Sequence, residues 1–312
     1  MASSNTVLVV GATGKQGAMT IKSLLAQDIP DLRVLALTRD SSTPRAQALA
    51  ASDARIELLQ GDQRKPDIIF GGLPKDSVRA LFLITVPPKE EPQAIPFLDA
   101  ALAHGVRHVV YSSVDRGGDA HSWTNPTRVP HFAEKHTIEL HLREEFKKYP
   151  EEDRTWTILR PVAFMDNFQP WFFAAAYVSM CSIAMRPATK LQYVATSDIG
   201  RWAAASFAAA FKDLADHTAA SPYRNRAIGL AGDSLSLPEA RAVFQRVVGQ
   251  PTPWAWWIVG KLILLLMGDL ATMFQFFDEE GYGVDIAKLQ GEAPGVTSFE
   301  EWLRKDSKWK TE

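Results

Sequence analysis

The sequence predicts an α/β protein built on a doubly wound parallel sheet, and three observations carry that prediction. Short β-branched or leucine-rich runs alternate with helix-period segments through the first half. Several of these runs are apolar on successive residues, as strands covered on both faces require. The first of them ends in a glycine-rich turn that opens a helix. The expected strands are Thr6–Val10, Arg33–Thr38, Arg55–Gln60, Arg79–Thr85, Arg107–Ser112 and Thr155–Leu159. Between the first two, Ala18, Ile21 and Leu25 share a helical face, and Gly105 is placed to cap the helix ending at His104.

Further along, the pattern loosens. Phe168–Met185 and Ser197–Asp213 read as helices, the second capped by Ser197 or Asp198. Ala227–Leu230 reads as a short strand and Leu237–Val248 as a helix. The segment from Pro251 to Glu312 reads as mostly helical and is rich in tryptophan.

The composition narrows the function. With 312 residues, 46% of them hydrophobic, the chain is large enough for a sizeable core. Its 34 basic and 36 acidic residues nearly cancel, and no basic run or stripe offers a nucleic-acid footprint. Cys181 is the only cysteine, so no disulfide can form within the chain, which suits a reducing compartment. Val7–Val10 leads directly into the glycine turn without a charged leader, and reads as a strand and not a signal peptide. The longest apolar stretch, Trp254–Met267, is interrupted by Lys261 and falls short of the roughly twenty residues of a membrane span. A cytoplasmic protein handling a small molecule is expected, with no nucleic-acid partner and no transmembrane segment.

The turn reads Gly11-Ala-Thr13-Gly14-Lys15-Gln16-Gly17. Glycine suits it because a side chain would keep the backbone from a pyrophosphate and because the turn needs unusual dihedrals. The following helix offers unpaired amides and the positive end of its dipole to the phosphates. Gly17 lets that helix pack closely on the strands. The context of strand, turn, amphipathic helix and second strand marks a Rossmann-type dinucleotide site. The Gly-x-x-Gly-x-x-Gly spacing matches the short-chain dehydrogenase superfamily. The second strand ends in Arg39, where NAD sites usually carry an acid. A guanidinium there suits a 2′-phosphate, and Lys15 adds positive charge, so NADP(H) is favoured. Asp40 is the competing feature, able to neutralise Arg39 or to contact the ribose itself. Residues 1–155 are read as the NADP-binding Rossmann domain. Residues 156–312 are expected to complete the sheet and form a smaller, mostly helical substrate lobe.

Four segments together resemble the NmrA-like family of atypical short-chain dehydrogenases, which includes regulators, redox sensors and oxidoreductases. They are the glycine turn, Gly61-Asp62-Gln63, Leu159-Arg-Pro161 with Phe164-Met-Asp-Asn167, and Thr297-Ser-Phe-Glu-Glu-Trp-Leu303. The resemblance implies that Asp62 and Gln63 lie beside the adenine and Thr85 near the cofactor. It also implies that Phe164 to Asn167 line the nicotinamide end. The superfamily's Tyr-x-x-x-Lys pair corresponds here to His131-Phe-Ala-Glu-Lys135, so the tyrosine is absent and the usual proton relay with it.

Helical spacing singles out the same region. Positions 131, 135, 138, 142 and 146 share one face, on which Ile138, Leu142 and Phe146 are apolar and His131 and Lys135 polar. Polar groups on a core-facing stripe need partners, and a cofactor ribose at the sheet's carboxyl edge would supply one for Lys135. His131 is either a proton donor or a partner for its own helix start. Ser112 and Ser113 follow the fifth strand, where the superfamily often has a substrate-polarising hydroxyl; Ser113 is taken as the candidate, with bonding to backbone as the alternative.

No metal site is expected, since His131, His136 and His141 do not share a helical face. Cys181 in an apolar helix reads as core. Trp254–Met267 is apolar all round, so it is buried, walls a pocket, or touches a partner or a membrane surface with Lys261 as the basic anchor; core packing is the default. With Trp171, Phe172, Phe173 and Tyr177 nearby in sequence, an aromatic-lined substrate cavity is expected. The expected function is an NADP(H)-dependent oxidoreductase for a bulky apolar or aromatic metabolite, in secondary metabolism. The rival is a non-catalytic NADP(H)-binding redox sensor acting through a protein partner.

Overall fold

The computed structural model describes residues 5–149, 154–170, 172–216 and 221–311. The strands are β1 (Asn5–Val9), β2 (Leu32–Thr38), β3 (Ile56–Gln60), β4 (Ala80–Leu83), β5 (His108–Ser112), β6 (Thr155–Pro161), β7 (Ala163–Phe164), β8 (Lys190–Val194), β9 (Arg226–Leu230) and β10 (Asp233–Ser236). The helices are α1 (Lys15–Leu25), α2 (Pro44–Ala51), α3 (Pro66–Gly71), α4 (Glu91–His104), α5 (Pro130–Lys147), α6 (Phe172–Ala184), α7 (Thr196–Asp216), α8 (Leu237–Val248), α9 (Trp257–Leu266), α10 (Gly268–Glu279), α11 (Ile286–Gln290) and α12 (Phe299–Lys305). Two compact units emerge. One comprises Met1–Ser113, Glu134–Arg160 and Ile199–Ile228; the other comprises Val114–Ala133, Pro161–Asp198 and Gly229–Glu312.

The first unit is built on a sheet of order β3-β2-β1-β4-β5-β6-β9, with β1 to β6 paired in parallel. The order reverses about β1, which creates the crevice at strand carboxyl ends where open α/β sheets bind ligands. β1, β4 and β5 are buried along almost their whole length, which explains their unbroken apolar runs. Gly105 takes φ 107° and caps α4, as its position implies. On α5, Ile138, Leu142 and Phe146 are buried, as their spacing requires. So is Glu139, whose carboxylate accepts the Arg160 guanidinium at 2.7 Å with neither side chain exposed. The expected Arg79–Thr85 strand pairs only over Ala80–Leu83, and Thr85 lies in the loop beyond.

The second unit holds a three-stranded sheet of order β10-β8-β7 that no periodicity announced. Its strands are short, and β7 has two residues. Its core is aromatic: Phe168 meets the rings of Tyr177, Tyr193 and Phe299 edge-on at 5.5, 5.7 and 5.0 Å. Phe299 stacks on Trp302 at 5.9 Å. Tyr177 therefore packs in the core instead of lining a cavity, and burial pushes its phenol well above the ordinary value. Cys181 is core as well, its thiol pushed up to about 12 by burial. Asp115 is wholly buried, and its Oδ1 gathers the N–H groups of Gly117, Gly118 and Gly283 at 3.0, 3.1 and 2.8 Å.

Three sequence expectations need correction. The helix expected over Phe168–Met185 is interrupted. A 3-10 turn ends at Phe168, Gln169 is extended with ψ 153° as a residue before proline prefers, and the described part of α6 begins at Phe172. Neither Ser197 nor Asp198 caps α7, which starts at Thr196. Ser197 donates to Asp306 Oδ2 at 2.6 Å, and Asp198 accepts from the Thr297 N–H and hydroxyl at 2.8 and 2.7 Å. Third, Trp254–Met267 is not core: Trp256, Leu265 and Leu266 are 79%, 79% and 73% exposed. The helix is apolar all round, but only one side of it meets α6. Phe172 and Phe173 are exposed too, and Trp171 lies outside the described residues.

Candidate functional site

In the first unit the carboxyl ends of β1 to β4 enclose a cleft of ≈560 Å³. It is lined by Gly11, Thr13 and Gly14 of the turn, by Arg39 after β2, and by Asp62 and Gln63 after β3. The glycines are imposed by geometry. Gly11 has φ +65°, and a Cβ there would lie 2.5 Å from Ile84 Cδ1. A Cβ on Gly17 would lie 2.3 Å from the Gly11 carbonyl oxygen, so α1 could not start so close to the turn with any other residue. Gly14 precedes α1, which has no side-chain cap and no acid in its first turn. The amides and positive dipole end of α1 are therefore not neutralised by the chain itself, which makes the turn fit for phosphate.

Asp40 lines the cleft beside Arg39, but its carboxylate is engaged by Ser42. Asp40 Oδ1 accepts from the Ser42 N–H at 2.8 Å and from its hydroxyl at 2.6 Å. These bonds hold the Asp40 carboxyl below the usual carboxylate range, so it stays ionised within its own loop. Arg39 is exposed, and among the described residues its guanidinium pairs with no carboxylate. Asp62 is engaged differently: Arg64 donates to it at 2.8 Å and holds its carboxyl low. Gln63 donates to Gln93 Oε1 at 2.9 Å. Gln93 in turn donates to the carbonyls of Val86, Pro88 and Lys89 at 2.8, 3.0 and 2.9 Å, fixing the loop after β4.

Thr43, Arg64 and Gln93 also line the cleft and were missed in the sequence. Arg64 stood directly beside the marked Asp62-Gln63 pair and could have been found there. Gln93 had no local signal, because its partners lie in a separate loop.

Around Lys135 the residues form a second cluster. Lys135 Nζ donates to Glu90 Oε2 at 2.5 Å and to Thr85 Oγ1 at 3.1 Å. Thr85 Oγ1 also donates to Glu90. Glu90 is wholly buried, and its other oxygen, Oε1, finds no hydrogen-bond partner among the described residues. Glu134 accepts from the Glu90 N–H at 2.7 Å, and the ring of Tyr111 lies 5.9 Å from Lys135 Nζ. Thr85 and Lys135 were expected; Glu90 was not, because a glutamate pair at a helix start is ordinarily solvated.

The remaining expected residues are placed as follows. Lys15 is exposed at the start of α1. Gln16 accepts from the Ser112 hydroxyl at 2.5 Å. Ser113 is buried, its N–H donating to the Leu159 carbonyl at 2.8 Å. His131, Phe164 and Asn167 belong to the second unit and are each partly exposed, His131 edge-on to Phe132 at 4.7 Å. The cleft thus brings together Gly11, Thr13, Gly14, Arg39, Asp62 and Gln63, while Thr85 and Lys135 meet in the second cluster. Among the described residues, Asp99, His141 and Glu145 are close enough to share an ion. His141 Nε2 pairs with Asp99 Oδ1 at 2.7 Å, and Glu145 with Lys148 Nζ at 2.5 Å, ordinary surface pairs.

Comparison with known proteins agrees with this architecture. The chain is 29% identical over 169 residues to the NmrA-like family domain-containing oxidoreductase malD of Malbranchea aurantiaca, covering 52% of this chain and 48% of that protein. It spans about half the length of that relative. In structure it is similar to the NADPH-dependent quinone oxidoreductase QOR2 of Escherichia coli, solved with NADPH. The TM-score is 0.65 at 22% identity, over 96% of this chain and 98% of that one. It is also similar to Nmra, a negative transcriptional regulator, with TM-score 0.65 at 18% identity over 97% and 95% of the two chains. The model of the NmrA-like family matches residues 3–303. By that match, the chain belongs to the NmrA-like family.

Proposed function

We propose that the chain is an NADP(H)-dependent oxidoreductase that passes hydride to or from a bulky apolar or aromatic metabolite of secondary metabolism. The acceptor carbon would belong to a carbonyl, imine or activated alkene. The observation that carries the cofactor choice is Arg39: it lines the cleft and among the described residues pairs with no carboxylate, while Asp40 is held by Ser42. When bound, the cofactor supplies hydride from its nicotinamide.

The chain's residues bind and orient. The amides of the Gly11–Gly17 turn take the pyrophosphate, and Arg39, with Lys15 adding charge, takes the 2′-phosphate. Asp62 and Gln63 flank the adenine. Lys135, steadied by Glu90 and Thr85, would hold the ribose, and the family resemblance assigns Phe164 and Asn167 to the nicotinamide end. With histidine in place of the tyrosine, His131 or Ser113 would hold the proton at the substrate. An iminium substrate would ease that demand, because it already carries one. The relative malD, named an oxidoreductase, supports this reading, as does the NADPH carried by QOR2.

The regulator reading has its own support: the missing tyrosine, the likeness to Nmra, and aromatic side chains packed into a core instead of around a cavity. One experiment separates the two. The purified protein is incubated with NADPH deuterated at the transferable position and a metabolite extract, and products are searched for deuterium by mass spectrometry. Labelled product supports the oxidoreductase and identifies the substrate class. Tight, saturable NADPH binding without label in any metabolite supports the sensor.

A further inference from the structure

The exposed face of α9 has no role in the reading above. Trp254, Trp256, Trp257, Ile258, Leu262 and Leu265 are between 46% and 79% exposed on one short segment. Monomeric soluble proteins rarely leave so many large apolar side chains together in water. The opposite face of α9 is fixed on α6. A Cβ on Gly260 would lie 2.9 Å from Ile183 and 3.1 Å from Ser179, and the Ser179 hydroxyl donates to the Ala255 carbonyl at 2.6 Å. Docking of α9 on its own unit is therefore complete, and the outward face is surplus to it.

The chemistry of that face selects its occupant. From Gln250 to Gly268 there is no acidic residue, and Lys261 is the only charged one. Two cations rest on its tryptophans, Lys261 at 5.8 Å from the Trp257 ring centroid and Arg241 at 4.5 Å from that of Trp254, and the exposed Asp269 lies just beyond, in the first turn of α10. A specific protein interface needs many hydrogen bonds, and this face offers little beyond indole N–H groups. A lipid surface needs none. Tryptophan favours the headgroup region, where its indole is half in hydrocarbon and its N–H stays wet. The face is thus tryptophan-rich at one end and leucine-rich at the other, with cations that complement anionic headgroups. α9 has ten residues, too few to cross a bilayer, and α10 leaves it at 109°. That geometry suits lying in the surface and not spanning it.

We propose that α9 and the tryptophans preceding it form a docking face for an anionic membrane surface. The test is sedimentation of the 312-residue chain with vesicles of phosphatidylcholine, alone or mixed with phosphatidylserine. Vesicles carrying brominated chains add quenching of tryptophan fluorescence. Binding is expected to be stronger with phosphatidylserine and to be accompanied by quenching. The double variant Trp256→Glu, Leu265→Glu should bind roughly tenfold more weakly or worse. Lys261→Gln should lose part of the preference for anionic vesicles. Because both glutamates enter on exposed positions, an unchanged circular dichroism melt confirms that the double variant folds. Wild-type protein that fails to sediment with either vesicle overturns the proposal. So does self-association in analytical ultracentrifugation that the double variant abolishes while vesicles remain unbound, which would assign the face to a second copy of the chain.

Discussion

Lys135 Nζ lies 2.5 Å from Glu90 Oε2, in an ion pair whose lysine side chain is 11% exposed and whose glutamate is wholly buried. This pair links the loop after β4 to α5. Removing one member leaves the other charged and desolvated, which in buried pairs costs about 3–5 kcal/mol. Lys135→Ala is therefore expected to lower the unfolding free energy in urea by that order and to weaken NADPH binding. Adding Glu90→Gln should recover much of the stability without the affinity, because the unpaired carboxylate is gone but the ribose ligand is still missing. If affinity returned together with stability, Lys135 would be a structural residue only.

Gly17 and Gly71 provide a matched pair of glycines. A Cβ at Gly17 would press within 2.3 Å of a backbone oxygen, whereas at Gly71, in α3, it would meet nothing within 4 Å. Gly71→Ala should be neutral or stabilising by up to roughly 1 kcal/mol, the usual gain from replacing a helical glycine. Gly17→Ala should displace the turn and abolish measurable NADPH binding. Calorimetric melts and NADPH fluorescence titrations of the two variants check both outcomes.

His108, wholly enclosed on β5, bonds to Thr155 Oγ1 at 2.7 Å and Ser206 Oγ at 2.9 Å, and burial lowers its pKa to about 3 from 6.5. The unfolded chain takes up a proton near pH 6.5 that the folded chain refuses until about pH 3. Stability supplied by neutral His108 is thus complete above pH 6.5 and declines as pH falls through that window, by at most about 1.4 kcal/mol per pH unit. Urea unfolding measured from pH 7 to pH 5 should show this slope, and His108→Gln should flatten it. Equal slopes in the two proteins would mean that other groups carry the dependence.

Much of the fold was legible in the sequence, for identifiable reasons. β1 to β6 announced themselves because a parallel sheet covered on both faces forces continuous apolar runs. The glycine turn was legible because Gly11 and Gly17 leave no room for a side chain. What escaped depends on partners remote in sequence. Glu90 acquires its character from Lys135, 45 residues away, and Gln93 from the loop it ties down. The small sheet escaped because β7 has two residues and β8 pairs with strands on either side of α7. The α9 segment was misjudged because hydrophobicity all round a helix reads the same whether the outward face is covered or bare.

The central claim is that Arg39 commits the cleft to a 2′-phosphorylated dinucleotide. The direct measurement is a fluorescence titration of NADPH and NADH against the wild-type protein and Arg39→Ala. A charge-assisted contact of about 1.5–3 kcal/mol predicts that wild type binds NADPH roughly ten- to a hundredfold more tightly than NADH. Arg39→Ala should lose most of that preference and keep its affinity for NADH. Equal affinities in the wild type, or a preference for NADPH that survives in Arg39→Ala, would contradict the account.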